Sequence, residues 1–583
     1  MNTVLRRTDL RSILSLLCLA FPSLLFSAGS SPNAARQDSA TSRSLREYAE
    51  RPDDEYVAVS RKSVQTSPAY RYSTGGFFFV QVNVDSFGNN IVGDAANEPS
   101  IAVNPIDPNK IAIGWRQFDT IASNFRQAGY GYSTDGGQTW TFPGVLDPGV
   151  FHSDPVLDAD SEGNFYYYSL EIDPDYFCTL YKDADGGASW DGGVYAYGGD
   201  KAWMCLDPTS GIGRDQIYFA WDFAGCCVDD WFTRSTSRGQ TFDAPVPIPE
   251  EPIWGVNTTG PDGSVYVAGR RSSTNTQFVV AKSSTAQDST AALAFDFAME
   301  VDMGGDHLFA IGFGPNPGGL MGQAWIAADH STGPTGGNLY MLCSVDPPGN
   351  DPLDVHFVRS TDGGVTWNSP MRVNDDSSDS AWQWFGTMSV APNGRIDVIW
   401  LDTRDLGGVS SSLYYSYSTD AGVTWSQNER LSDSFDPTVG WPQQNKLGDY
   451  FDMVSDETGA HLAWAATFNG EQDVYYGRIT NITGVEAEND SDLPETFSLA
   501  QNYPNPFNPT TAIRFSIPVG TRLAVSLRVY DLLGREVTTL VNEKKAPGTY
   551  EITWDASGHA SGLYFYRLKA GEFVETNKLI LLR

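Results

Sequence analysis

From about residue 77 onward, apolar residues come in short runs separated by small or polar ones, and Asn, Asp, Gly or Pro ends each run. A period near two over so few residues predicts strands, and the breakers predict tight turns between them. One unit recurs: a short strand, a polar turn and a longer aromatic strand. It reads PSIAVNPIDPNKIAIGW from Pro99, DPVLDADSEGNFYYYSL from Asp154, KAWMCLDPTSGIGRDQIYFAWD from Lys201 and WGVNTTGPDGSVYVAGR from Trp254. It continues as QAWIAADHSTGPTGGNLYMLCS from Gln323, FGTMSVAPNGRIDVIWLD from Phe385 and YFDMVSDETGAHLAWAAT from Tyr450.

A second motif follows most of these units. It is STDGGQTW from Ser133, DADGGASW from Asp183, STSRGQTF from Ser235, STDGGVTW from Ser360 and STDAGVTW from Ser418. Self-similarity at a spacing of about 50 residues marks a repeat architecture. In each box an aspartate or hydroxyl ties down a tight turn, glycine supplies positive φ, and the aromatic packs back on the sheet. Asp135, Asp185, Asp362 and Asp420 are therefore read as structural. The predicted fold is all-β: a seven-bladed propeller followed by a small immunoglobulin-like β-sandwich. The last unit stops one strand short, and Phe77 to Val82 is expected to supply that strand and close the ring. The alternative, a six-bladed ring, treats Met303 to Gly322 as an insertion.

The boxes resemble the Asp-box repeats of the sialidase-like propeller superfamily over about residues 98–480. That resemblance implies the fold, with the boxes on the rim away from the ligand-binding mouth; members range from sialidases and other glycan-active enzymes to proteins without known catalysis. The C-terminal stretch carries NYPNPFNP, YDLLGREV, GLYFYRL and a terminal basic residue. It is similar to the sorting domain of the type IX secretion system, which implies passage through the periplasm, engagement of that machinery, and release or attachment at the cell surface.

The remaining boundaries come from composition. Arg6, Arg7 and Arg11 precede an apolar stretch and small residues, so 1–29 reads as a signal peptide. Residues 30–76 read as a disordered leader, 77–483 as propeller, 484–495 as an acidic linker and 496–583 as the sorting domain. A formal net charge of −34 disfavours nucleic acid and anionic membrane as partners. Beyond the signal, Cys178, Cys205, Cys226, Cys227 and Cys343 are an odd set without zinc spacing, and one disulfide is expected in the second or third repeat.

Two sets of side chains are expected at the mouth. Glu98, Asp154, Asp200, Lys201, Trp254, Trp384, Asp449 and Tyr450 precede inner strands. Arg116, Glu171, Asp222, Arg270, Asp402 and Arg404 follow second strands. By the sialidase resemblance, Arg116, Arg270 and Arg404 would hold a substrate carboxylate, Tyr450 would be the nucleophile with Glu98 or Glu171 as its base, and Asp154 the acid. The superfamily's Arg-Ile-Pro signature is absent from the first blade. A neutral glycoside would need only two carboxylates, such as Asp154 and Asp449. The alternative is a binding module without catalysis, in which Trp254, Trp382, Trp384 and Trp441 stack on sugar rings. No metal or cofactor is predicted; calcium is the one ion the mouth carboxylates would suit, although no segment forms a calcium loop. The expected partner is extracellular glycan or glycoprotein, and the expected state is a monomer.

Overall fold

The computed structural model describes residues 54–59, 64–480 and 497–582, apart from positions 75, 174, 184, 223, 224, 275, 503, 518–522, 546, 547 and 572. The stretches expected to be signal peptide (1–29) and linker (484–495) lie outside the described residues.

Seven antiparallel sheets of three to five strands follow one another among the described residues up to 480, beside one two-stranded sheet. The first runs Ala95–Val103, Ile111–Phe118, Gln127–Ser133 and Thr141–Val145 from inside out, and the second Ser153–Ala159, Phe165–Ile172, Tyr176–Lys182 and Val194–Tyr195. The third has three strands, and the next three begin at Pro252, Trp325 and Gln383. Inner strands pack side by side in sequence order, and Asp452–Asp456 of the seventh sheet packs back against Ala95–Val103 of the first, which closes the ring.

The closure uses the strand anticipated from sequence. Phe77–Gln81 pairs antiparallel with Asp473–Thr480, Phe77 opposite Ile479 and Gln81 opposite Tyr475. Phe79 is buried against Trp464, with ring centroids 4.9 Å apart. The expected disordered leader is corrected at its C-terminal end. Thr66–Pro68 pairs with Asn89–Ile91, and Arg71–Thr74 is an edge strand beside Phe77–Gln81. Two tyrosines explain why so polar a segment is ordered: Tyr70 stacks on Phe468 at 4.2 Å and Tyr72 on Phe79 at 6.0 Å.

Between sheets the apolar strand residues interlock, and large aromatics such as Trp115, Trp384, Trp400 and Trp464 are fully buried. Each contributes roughly 1.5–3 kcal/mol by leaving water. Polar side chains tie neighbouring sheets together. Asp452 Oδ2 accepts from Ser100 Oγ at 2.7 Å and from the Ile101 N–H at 3.1 Å, and Asp158 Oδ2 accepts from the Leu206 N–H at 2.8 Å. From residue 498 the chain forms two further sheets, one of three strands and one of four. They share a core of Ile513, Phe515, Leu527, Val529, Trp554, Tyr566, Leu568 and Leu579, as the alternation in that stretch predicts for a sandwich.

Candidate functional site

The inner strands begin at the mouth, and they begin with strained backbone. Glu98 (φ 49°), Asp154 (φ 46°), Lys201 (φ 51°), Trp254 (φ 57°) and Phe385 (φ 58°) are left-handed in five sheets. Gly322 and Gly448 take positive φ ahead of the other two inner strands. In the first, second and sixth sheets the pairing register shifts at this point, so the strained residue sits in a bulge. A bulge re-aims the side chain it carries. The cost is about 1–3 kcal/mol per non-glycine residue, so surrounding contacts must hold each one in place.

For three of them those contacts are ionic. Lys201 Nζ lies 2.8 Å from Asp449 Oδ2, 3.4 Å from Asp200 Oδ1 and 3.5 Å from Asp154 Oδ2. Lys446 Nζ lies 2.8 Å from Asp449 Oδ2 and 3.6 Å from Glu98 Oε1, and Arg116 Nη2 lies 3.1 Å from Glu98 Oε1. The structure thus brings Glu98, Arg116, Asp154, Asp449 and Tyr450 together, as the sequence suggested. It adds Lys446, which the sequence reading missed; its only signal there was a lysine three residues before Asp449.

Burial decides how these groups titrate. Burial, reinforced by the Asp449 charge, pushes the Glu98 carboxyl up to about 8 against the opposing pull of Arg116 and Lys446. Burial acts the same way on Asp449, but Lys201, then Lys446 and Arg116, outweigh it and hold that carboxyl well below the usual range. Tyr450 is buried, its hydroxyl donates to the Pro155 carbonyl at 2.9 Å, and burial raises its pKa well above the ordinary value.

Two long connections cover this cluster. One joins the fourth and fifth sheets (302–324), the other the sixth and seventh (431–451). The Leu320 N–H donates to Asp449 Oδ1 at 2.8 Å, and Arg116 Nη2 donates to Gln444 Oε1 at 3.1 Å. Asn316 clasps the two connections: its Nδ2 donates to Gly448 O at 2.9 Å and its Oδ1 accepts from the Leu447 N–H at 2.8 Å. Gly319 allows this approach, because a Cβ there would meet Asp449 Oδ1 at 2.6 Å and Gly448 O at 2.7 Å. As a result Glu98, Asp154, Asp449 and Tyr450 are each 2 % exposed or less.

The other sequence candidates lie elsewhere. Arg270 stacks over Trp254 at 4.3 Å, and Trp254 Nε1 donates to Asp222 Oδ2 at 3.1 Å. Burial pushes the Arg270 guanidinium down to about 10, with Asp222 opposing. Arg404 stacks on Tyr414 at 4.5 Å and pairs with Asp375 at 2.7 Å and Asp402 at 2.8 Å. Arg116 is engaged by Glu98 and Gln444, Arg270 by Trp254 and the Thr274 carbonyl, and Arg404 by Asp375, Asp402 and Tyr414, and no described contact joins the three. Trp254 and Trp384 are corrected as stacking platforms, because both are buried and Trp384 Nε1 is bound to Ser411 Oγ at 3.1 Å. Trp382 is only partly buried and meets the exposed ring of Phe313 edge-on at 5.9 Å.

At the opposite end of the strands the boxes do local work. Asp135 Oδ1 accepts from the Thr139 N–H at 2.9 Å and Oδ2 from its hydroxyl at 2.6 Å. Asp185 makes the same pair with Ser189, Asp362 with Thr366 and Asp420 with Thr424. Cys226 and Cys227 are bonded to each other, whereas Cys178, Cys205 and Cys343 are free thiols. Among the described residues no group of three or more His, Cys, Asp or Glu is arranged to hold a metal ion.

No curated protein matches the chain in sequence. Of the solved structures, a protein of unknown function from Dyadobacter fermentans is 14% identical, with 70% of this chain and 100% of that chain covered and a TM-score of 0.38. A fungal alcohol oxidase in complex with copper is 9% identical, with 89% and 100% covered and a TM-score of 0.44. A Trypanosoma rangeli sialidase in complex with 2,3-difluorosialic acid is 10% identical, with 88% and 89% covered and a TM-score of 0.36. Residues 501–582 match the secretion system C-terminal sorting domain. The chain is therefore an exported protein, secreted or attached at the cell surface, with a β-propeller ahead of its sorting domain.

Proposed function

We propose that this protein is an exported propeller that binds extracellular glycan on its mouth face without hydrolysing it. The observation that carries the reading is the burial of Glu98, Asp154, Asp449 and Tyr450, with the 302–324 connection bonded to Asp449 through the Leu320 N–H and Lys446 of the 431–451 connection set against Glu98. A nucleophile or acid must reach substrate, whereas Asp154 and Asp449 are engaged by Lys201 and Lys446, Glu98 lies against Arg116, and the Tyr450 hydroxyl is bound to the Pro155 carbonyl. The Asp-box resemblance supports glycan as the ligand class, and the partly open Trp382–Phe313 pair supports stacking at the rim. The sorting domain supports engagement of the type IX machinery and a surface or secreted location.

One observation favours hydrolysis as a second reading. Glu98 is held protonated and Asp449 ionised near neutral pH, the split that an acid and base pair requires. That reading needs the 302–324 connection, which bonds to Asp449 through the Leu320 N–H, to swing aside. The test is a glycan array together with a panel of fluorogenic glycosides, a sialoside included, on the full chain. Binding with no release of fluorophore is the expected result. Release that disappears in Asp449→Asn establishes the hydrolase instead.

A further inference from the structure

The second sheet ends at the mouth face in an aromatic ledge that no sequence motif announced. Inner strands begin at the mouth, so Phe177 at the start of a third strand and Tyr195 at the end of a fourth lie at the same end as Asp154. Phe177 and Tyr195 stack with ring centroids 5.5 Å apart and 30° between planes, and Tyr197 meets Tyr195 edge-on at 5.3 Å. Tyr195 is nevertheless 51% exposed. Packed against Phe177 and Tyr197, the Tyr195 ring still keeps about half of its surface in solvent.

The ledge is rigidly backed. Tyr197 is left-handed (φ 59°) and leads within four residues to Lys201 of the central cluster. The bonded pair Cys226–Cys227 sits directly behind it: the Cys226 N–H donates to Gly198 O at 3.1 Å, and Gly199 bridges Gly225. A ring already packed against two neighbours loses little entropy when a ligand lands on it.

Charge selects the ligand. The stretches 171–177, 192–199 and 225–230 carry Glu171, Asp173, Asp175, Asp229 and Asp230 and no lysine or arginine, and the next two residues, Asp200 and Lys201, are buried and paired with each other. An anionic sugar would meet only like charge there, on a chain whose net charge is −34. Carboxylates accept hydrogen bonds from sugar hydroxyls, and a single open aromatic face suits the C–H face of a pyranose. A cationic ligand would call for rings on several sides, whereas here one ring covers another. We infer that the Phe177–Tyr195–Tyr197 ledge is the glycan-stacking site and that its ligand is a neutral, not a sialylated or uronic, oligosaccharide. The inference rests on the glycan-binding reading above and assigns it a place and a ligand class.

The test is affinity of the full chain for neutral gluco-, manno-, xylo- and galacto-oligosaccharides, sialyllactose, oligogalacturonate and choline. The expected result is binding to at least one neutral series. Tyr195→Ala should weaken it at least tenfold, and Tyr195→Phe, which keeps the ring, should hold it within about threefold, by the usual worth of one aromatic contact. Ile106→Ala, exposed on the turn at the far end of the strands, should leave it unchanged. Neutral binding that survives Tyr195→Ala intact overturns the ledge and leaves the glycan-binding reading standing. Binding confined to sialyllactose, oligogalacturonate or choline overturns the ligand class. A wild-type chain that binds none of these overturns both.

Discussion

The two ends of the same strands spend aspartates in opposite ways. At the box end, Asp135, Asp362 and Asp420 bond a threonine four residues on and stay near solvent. At the mouth, Glu98 and Asp154 come from the first and second sheets and Asp449 from the connection into the seventh, and they are tied together through Lys201, Lys446 and Arg116. The first arrangement fixes one turn at a time. The second holds several sheets and two covering connections in a single charged knot, and it fixes left-handed residues that would otherwise relax. Removing a group should therefore cost little at one end and much at the other.

The largest effect is expected from Asp449→Ala. It strands Lys201 and Lys446 in a buried setting, and loss of one partner of a buried ion network typically costs about 3–5 kcal/mol. The midpoint of urea unfolding of the propeller measures it, and a change near zero would mean that the knot is not a staple.

Next comes the pH dependence. Glu98 is raised from 4.5 to about 8, and Asp452 and Asp473 from 3.8 to about 7, all with burial as the leading cause. Each holds a proton in the folded state that the unfolded chain has released, so stability should fall as pH rises from about 5 to about 8. Asp449 is shifted the other way, and its contribution, present above 3.8, should be lost as pH falls further. Glu98→Gln should flatten the fall between pH 5 and 8, read from thermal midpoints across that range. An unchanged slope would remove Glu98 from the account.

At the box end the penalties are smaller and of another kind. Gly137 has φ +84°, and a methyl there would run into the Tyr476 ring. Gly137→Ala should cost about 2 kcal/mol as strained backbone. Asp362→Ala should cost about 1 kcal/mol, the usual worth of such bonds, by the same urea titration. An Asp362 cost that matched Asp449 would erase the distinction between the ends.

This contrast also explains what the sequence disclosed. A box is legible because its partners lie within four residues, so the motif and its bonds coincide. The closing strand at Phe77 was legible because the seventh unit visibly lacked one. The mouth was legible in part: position ahead of an inner strand put Glu98, Asp154, Asp449 and Tyr450 in one place. Lys446, Gln444 and Asn316 were not, because they lie in connections without period whose partners are far along the chain. The same distance hid the separate surroundings of Arg116, Arg270 and Arg404, and the burial of Trp384. Tyr195 and Phe177 escaped notice because their strand ends carry no repeated motif.

The most direct test of the central claim compares the wild-type chain with Asp449→Asn for three quantities: thermal midpoint, affinity for the best neutral oligosaccharide, and release of fluorophore from a glycoside panel. Expected are a lower midpoint, an affinity unchanged within about twofold at temperatures where both are folded, as fits a group that touches no ligand, and no release from either protein. Glycoside turnover by the wild type that vanishes in Asp449→Asn, with the midpoint unchanged, would contradict that claim.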